Sequence, residues 1–266
     1  MAAAGRRLDQ WLVAQGYAAT RSRAQWLIQT GRVWVRGQPC RKPSQAVTDA
    51  LPVEVRGDGM PYVSRGGLKL ERALQTFGID VAGLVVLDIG ASTGGFTDCM
   101  LQHGARRVYA LDVGTGQLAS RLRTDPRVIA LEGRNIRTFQ ATDLPETVEL
   151  ITVDVAFISL VHVLPRLSLF LGSRGGAVIL VKPQFEVGAK HVGRGGIVRD
   201  PNRRAVALRR IMTTAEAVGF QVLQAVDAPC LHTHGNQEVF IKLEWIAQRA
   251  MLAAMRPPSP ARHVHT

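Results

Sequence analysis

Apolar and polar positions follow two rhythms along the chain, a short-period one up to about residue 56 and a repeating strand-and-helix one after it. In the first part Leu8, Trp11 and Leu12 form a helical stripe. A second helix carries Ala24, Leu27 and Ile28, with Ser22 and Gln25 spaced as a capping pair and Gly31 as its stop. Val33 and Val35 then alternate with Trp34 and Arg36, a turn follows at Gly37-Gln38-Pro39, and Val53 and Val55 alternate again. These positions predict a two-helix module with a small sheet over residues 1–59. Turn formers at Gly57-Asp58-Gly59-Met60-Pro61 mark its end, with a linker at 60–64.

The second part, residues 65–246, opens on a helix that places Leu70, Ala73, Leu74 and Phe77 on one face and stops at Gly78. Apolar runs at 84–89, 107–113, 127–131, 148–155 and 176–181 read as strands, and 157–171 as a helix covering the sheet. Asp200-Pro201 opens another helix that runs to Gly219; a strand at 220–226 and a last one carrying Phe240, Ile241 and Leu243 follow. Alternation of strands and helices predicts an α/β fold on a parallel sheet. Residues 247–266, with Pro257, Pro258 and Pro260, form a tail, and its His263 and His265 give no reason to expect a metal.

Composition adds a partner to this picture. The chain of 266 residues is 46% hydrophobic and 20% charged, enough for one sizeable core and a small accessory domain. A net charge of +12 favours a polyanionic partner. Cys40, Cys99 and Cys230 have neither disulfide nor zinc spacing, so a reducing cytoplasm suits the chain. The start, Met-Ala-Ala-Ala-Gly-Arg-Arg, lacks the apolar stretch of a signal peptide, and the 155–172 segment is broken by His162, Pro165 and Arg166. It falls short of the ~20 apolar residues a membrane span needs. A monomer is expected.

Chemistry concentrates after the 84–89 run, at Asp88-Ile-Gly90-Ala-Ser92-Thr-Gly94-Gly95-Phe96. Glycines let the backbone turn tightly beside a ligand, and the following helix offers N–H groups. Asp112 ends the next strand, where a carboxylate reaches ribose hydroxyls. A dinucleotide fold would need a glycine where Ser92 stands. A serine hydrolase finds a G-x-S-x-G turn at Gly90–Gly94, followed by Asp154 and His232 or His234. A class I methyltransferase uses Asp88, Gly90, Gly94, Gly95 and Asp112 together to hold S-adenosylmethionine. Asp154 and Lys182 stand at the carboxyl ends of their strands, where Lys69 and Glu238 can join them. Two lysines and two carboxylates at one site are a set in which a lysine can become a base. Phe157 fits either the core or a stacking surface.

Two stretches resemble known families. Arg-Leu-Asp-Gln-Trp-Leu at 7–12, Thr-Arg-Ser-Arg-Ala-Gln at 20–25 and Gly-Arg-Val-Trp-Val-Arg-Gly at 31–37 resemble the RNA-binding domain typified by small-subunit ribosomal protein S-four. The resemblance implies phosphate contacts from Arg7, Arg21 and Arg23; the further cations Arg6, Arg36, Arg41, Lys42, Arg65, Lys190 and Arg194 are candidates for the same RNA. Lys69, Asp154, Lys182 and Glu238 match in order and context the tetrad of FtsJ/RrmJ-type ribose 2′-O-methyltransferases. With the N-terminal domain, the whole resembles the TlyA family, some members of which have also been called haemolysins. This implies a class I, Rossmann-like methyltransferase with a small α+β RNA-binding domain, methylating cytidine 2′-hydroxyls in ribosomal RNA with a neutral lysine, Lys182, as base. It also implies cofactor contacts from Gly90, Ser92, Gly94, Phe96, Asp112, Val113 and Asn135. The stretch Ala228-Pro-Cys-Leu-His-Thr-His234 departs from the family pattern, which expects a Ser-Pro and another glycine there.

Overall fold

The computed structural model describes residues 5–18, 20–56, 60–230 and 235–247, and they form two compact units, 1–68 and 69–266. The Gly57-Asp58-Gly59 turn, His232, His234 and the tail from 248 lie outside the described residues.

In the first unit β1 (Arg6–Arg7) leads into α1 (Leu8–Ala14) and α2 (Arg21–Gln29). Strands β2 (Val33–Val35), β3 (Gln38–Pro39), β4 (Ala46–Val47) and β5 (Val53–Val55) follow. The alternation read at Val33, Val35, Val53 and Val55 is an antiparallel pairing of Val33 with Val55 and Val35 with Val53. Leu8, Trp11, Leu12, Ala24, Leu27 and Ile28 close over it as one buried core. The cap of α2 is Thr20, whose hydroxyl accepts from the Arg23 N–H at 3.2 Å, rather than Ser22. Gln25 turns instead to Asp9. The expected linker is not loose either: Met60 is buried in this core and Leu68 packs on it, so the unit reaches Leu68.

The second unit continues α3 (Arg65–Phe77), whose Leu70, Ala73, Leu74 and Phe77 are buried as the stripe predicts. Then come β6 (Val85–Ile89), α4 (Gly95–Gln102), β7 (Arg107–Asp112), α5 (Ser120–Arg123), β8 (Val128–Glu132) and β9 (Val148–Val153). The chain goes on through α6 (Leu164–Leu167), β10 (Leu171–Val181), α7 (Pro183–Glu186), α8 (Pro201–Ala217), β11 (Phe220–Asp227) and β12 (Val239–Ile246). The seven strands lie in the order β11-β12-β10-β9-β6-β7-β8, and β12 alone runs against its neighbours. Every residue of β6 is buried, which explains its uninterrupted apolar run. From β6 the chain first builds outward to β7 and β8, then returns to place β9 on the other side. The crevice between the carboxyl ends of β6 and β9 is therefore the switch point at which open α/β sheets bind ligands.

The helix expected at 157–171 is a correction. Phe157 has φ +63, a left-handed conformation that no helix continues, and the Leu160 N–H is taken by the Glu186 carboxylate. Only α6 is α-helical there, and Leu171 already belongs to β10, five residues ahead of the expected strand start. Leu160, Val163, Leu164, Leu167 and Phe170 still line the core, so the burial read from their spacing holds although the helix does not.

Candidate active site

Three consecutive strands deliver three of the four charged residues to one edge. β12 and β10 pair up to Val181 opposite Val239, and β10 and β9 up to Ile179 beside Val153. Glu238, Lys182 and Asp154 stand just past the regular strands at that edge. Lys182 Nζ lies 2.6 Å from Asp154 Oδ1, off the direction of an aligned hydrogen bond. Lys69 Nζ, near the start of α3, donates to Glu238 Oε2 at 2.5 Å. Side-chain exposure is 16% for both lysines, 14% for Glu238 and 23% for Asp154, so both ion pairs are shielded yet open to a docking substrate. A cleft beside Lys69 and Glu238 is lined by Ala228, Pro229 and Cys230, the described part of the stretch that departs from the family pattern, and by Asn236 beyond it.

The glycine turn abuts this edge. Gly90 has φ +85, and a Cβ there would lie 2.5 Å from the Asp154 carbonyl oxygen, so the β6 turn and the β9 tip touch backbone to backbone. Gly94, at φ +93, leaves space taken by Leu118 and Leu122. Ser92 is exposed at φ +48; its N–H donates to Asp112 Oδ2 at 2.7 Å, and its hydroxyl to Gln117 at 3.2 Å. Asp112 Oδ1 accepts from the Gly114 N–H. Asn135 and Val113, the latter 67% exposed, flank the same edge on the β7 and β8 side. Exposed turn, half-buried carboxylate and apolar wall sit on adjacent strand ends, as an adenosine-bearing cofactor with a ribose diol requires.

Two expected cofactor contacts are walled in. Phe96 is buried against Phe240, with ring centroids 6.0 Å apart. Asp88 is fully buried, with Oδ2 accepting from the Thr97 hydroxyl at 2.6 Å and Oδ1 from the Thr152 hydroxyl at 2.9 Å. Both thus shape the turn from beneath; nothing in the residues around Asp88 signalled that two threonines would claim it. Burial, and then the charge of Asp154, push the Asp88 carboxyl up to about 6 against these hydroxyls. The folded protein holds this proton more tightly than the unfolded chain, whose value is 3.8. The contribution of Asp88 to stability is thus complete below about pH 4 and declines as pH rises towards 6. Asp88→Asn is expected to raise the unfolding free energy at pH 7.5 by up to about 3 kcal/mol, a gain that fades by pH 4 in urea titrations.

A hydrolase constellation is not assembled from the described residues: the Ser92 hydroxyl bonds Gln117 and Asp154 faces Lys182. Phe157 is not core. It is 93% exposed, held in its left-handed conformation and tilted on Phe185 at 5.2 Å. Glu186, which the sequence did not single out, fixes this loop by accepting from the Ser159 hydroxyl and the Leu160 N–H.

In the first unit the candidate cations are organised by an acid that sequence reading passed over. Asp9 is fully buried; it accepts from Arg7 Nε and Nη2, Arg21 Nε and Gln25 Nε2, each at 3.0 Å. Burial would push its carboxyl up, but hydrogen bonds from Arg7, Gln25 and Arg21 outweigh it and hold the group well below the usual carboxylate range. Arg7 thus spends two donors internally and Arg21 one. Arg6, Arg36, Arg41 and Lys42 are exposed, Arg23 half-buried. Arg65, at the start of α3 and still in the first unit, is half-buried, and in the second unit Lys190 and Arg194 project from an exposed loop. The signal for Asp9 was its place on the apolar stripe of α1.

Residues 62–245 match the family model of FtsJ-like methyltransferases, and residues 6–50 that of the S4 domain. Among similar proteins is one from Mycobacterium tuberculosis named 16S/23S rRNA (cytidine-2′-O)-methyltransferase TlyA, 43% identical over 93% of this chain and 92% of that protein. Another is Hemolysin A of Brachyspira hyodysenteriae, 40% identical over 87% of this chain and 97% of that one. A solved structure of a fibrillarin/Nop5p complex matches in fold, with a TM-score of 0.52 at 17% identity over 71% of this chain and 86% of the other.

Proposed function

We propose that this chain, which belongs to the FtsJ-like methyltransferase family and carries an N-terminal S4 domain, transfers a methyl group from S-adenosylmethionine to the 2′-oxygen of cytidine ribose in ribosomal RNA. The observation that carries the reading is the pair of shielded ion pairs, Lys69–Glu238 and Lys182–Asp154, set beside the Gly90 turn. The 43% identical relative named for this reaction supports it. Gly90, Ser92, Asp112, Val113 and Asn135 are the residues to hold the cofactor, with Asp112 facing its ribose and Asp88, Gly94, Gly95 and Phe96 shaping the turn. Bound there, S-adenosylmethionine supplies a sulfonium methyl whose transfer leaves a neutral thioether.

The chain's own part is to hold the ribose and take a proton. Lys182 Nζ, neutral at that moment, accepts the 2′-hydroxyl proton as the oxygen attacks the methyl carbon, and Asp154 fixes the amine and then faces the ammonium formed. Lys69, tied to Glu238, is a second cation for the developing oxyanion. Alignment of the 2′-oxygen with the methyl supplies much of the rate. Phe157, exposed at an energetic cost, stacks on the target nucleotide or its neighbour. Arg6, Arg7, Arg21, Arg23, Arg36, Arg41, Lys42 and Arg65, with Lys190 and Arg194, grip phosphates. A membrane-active reading has less support: among the described residues no helix is long and apolar enough to cross a membrane. The test is transfer of labelled methyl from S-adenosylmethionine to isolated small and large ribosomal subunits. Label on a cytidine 2′-oxygen is expected and names the subunit; cofactor binding without label in either subunit would overturn the proposal.

A further inference from the structure

Asn236 stands two residues before Glu238, in the segment leading into β12. Its side-chain oxygen accepts from the Val198 N–H at 2.8 Å, and its nitrogen donates to the Gly196 carbonyl at 2.7 Å. The partners settle the amide's orientation, since a backbone N–H only donates and a carbonyl only accepts. The amide therefore brackets Ile197 as the neighbouring strand of a parallel ladder would, taking the carbonyl before it and the N–H after it.

The segment it grips is otherwise held mainly to itself. Gly193 N–H donates to the Ile197 carbonyl and Gly196 N–H to the Gly193 carbonyl, each at 3.0 Å, and the turn passes through Gly195 and Gly196 at φ +77 and +76. Val198 is buried and Arg204 donates to the carbonyls of Val198 and Arg199, which anchors the far end. The near end carries exposed Lys190 and Arg194 on a backbone rich in glycine, the residue with most conformational freedom to lose. A cationic loop ordered anew at each encounter would lose part of its affinity to that ordering.

We propose that Asn236 is a positioning residue that registers the cationic 188–199 loop against the Glu238 segment, so that bound phosphates are gripped at a set distance from the Lys69–Glu238 pair. That the polyanion is RNA rests on the function proposed above. The amide serves as a splint: it orders the loop before RNA arrives and makes the loop's position depend on the strand that carries the tetrad's glutamate. Lys190, Arg194 and Arg199 thereby act as one pre-set clamp.

The experiment compares wild type, Asn236→Ala and Asn236→Asp by trypsin cleavage after Lys190, Arg194 and Arg199, by affinity for purified ribosomal subunits, and by affinity for S-adenosylmethionine. In the alanine variant cleavage is expected to accelerate about tenfold and subunit binding to weaken about tenfold, the loss of two hydrogen bonds. S-adenosylmethionine affinity and thermal midpoint should hold, and any loss of methyl transfer should fall on KM for the subunit rather than on kcat. Asp keeps the acceptor for Val198 but has no donor for Gly196, so it should fall between the other two. Cleavage and subunit affinity within about twofold of wild type would overturn the proposal. So would a parallel fall in cofactor affinity and thermal midpoint, which would make Asn236 a general structural residue. If wild type binds subunits but transfers no methyl, the methyltransferase reading fails, while loop cleavage and subunit affinity still decide the role of Asn236.

Discussion

Lys182→Met is expected to lower methyl transfer by about a thousandfold, the range a positioned general base contributes. Methionine keeps the length and apolar stem of lysine, so the wall beside Val181 and Pro183 is preserved while the amine is lost. Affinities for S-adenosylmethionine and for ribosomal subunits should stay near wild type, because the Gly90 turn and the S4 domain are untouched. A lysine that merely pairs with Asp154 would give the same loss, so a second substitution is needed. Lys182→Arg keeps a cation beside Asp154, but a guanidinium does not deprotonate near neutrality. If Lys182 takes the proton, the arginine variant stays as inactive as the methionine one; recovery of transfer in Lys182→Arg would show an ion-pairing role and overturn the base assignment. Labelled-methyl turnover on ribosomal subunits reads both.

Much of this is legible in the sequence, for reasons tied to burial. β6 is covered on both faces, so its sequence is a plain apolar run broken only by Asp88, and the glycines that follow are forced by a turn in which Gly90 meets the Asp154 backbone. Asp154 and Lys182 stand out because a charge directly beside an apolar strand needs a reason, and Glu238 because it enters the last strand within reach of the same edge. Partners distant in sequence were not legible. Nothing around Asp9 says that its carboxylate gathers Arg7, Arg21 and Gln25, and nothing around Glu186 says that it holds a loop 26 residues earlier. The 157–171 segment failed for the same reason: its apolar spacing is helical, but the Leu160 N–H goes to Glu186, and Phe157 turns the chain left-handed before a helix can form. Periodicity reports which side chains face the core; it does not report where each N–H finds its acceptor.

Gly90→Ala is expected to damage stability and chemistry together. Two costs are superimposed at this position. A left-handed φ of +85 costs alanine about 1 kcal/mol relative to glycine. The added Cβ would also come within 2.5 Å of the Asp154 carbonyl oxygen and 2.9 Å of its carbon, which are backbone atoms that cannot swing aside. Relief has to come from parting the tips of β6 and β9, which adds about 1–3 kcal/mol of overpacking. That displacement carries Asp154 away from Lys182 and tilts the Ser92 N–H that Asp112 accepts, so methyl transfer should fall about a hundredfold even in folded protein. Gly83→Ala isolates the first cost: Gly83 has φ +75 and no atom within 4 Å of the Cβ position. Urea unfolding should place Gly83→Ala about 1 kcal/mol below wild type, with turnover retained, and Gly90→Ala at least twice as far below, with turnover lost. Equal stability losses in the two variants, with turnover kept in both, would mean that the β6 turn and the β9 tip yield independently and that the cofactor turn is not braced by the strand carrying Asp154.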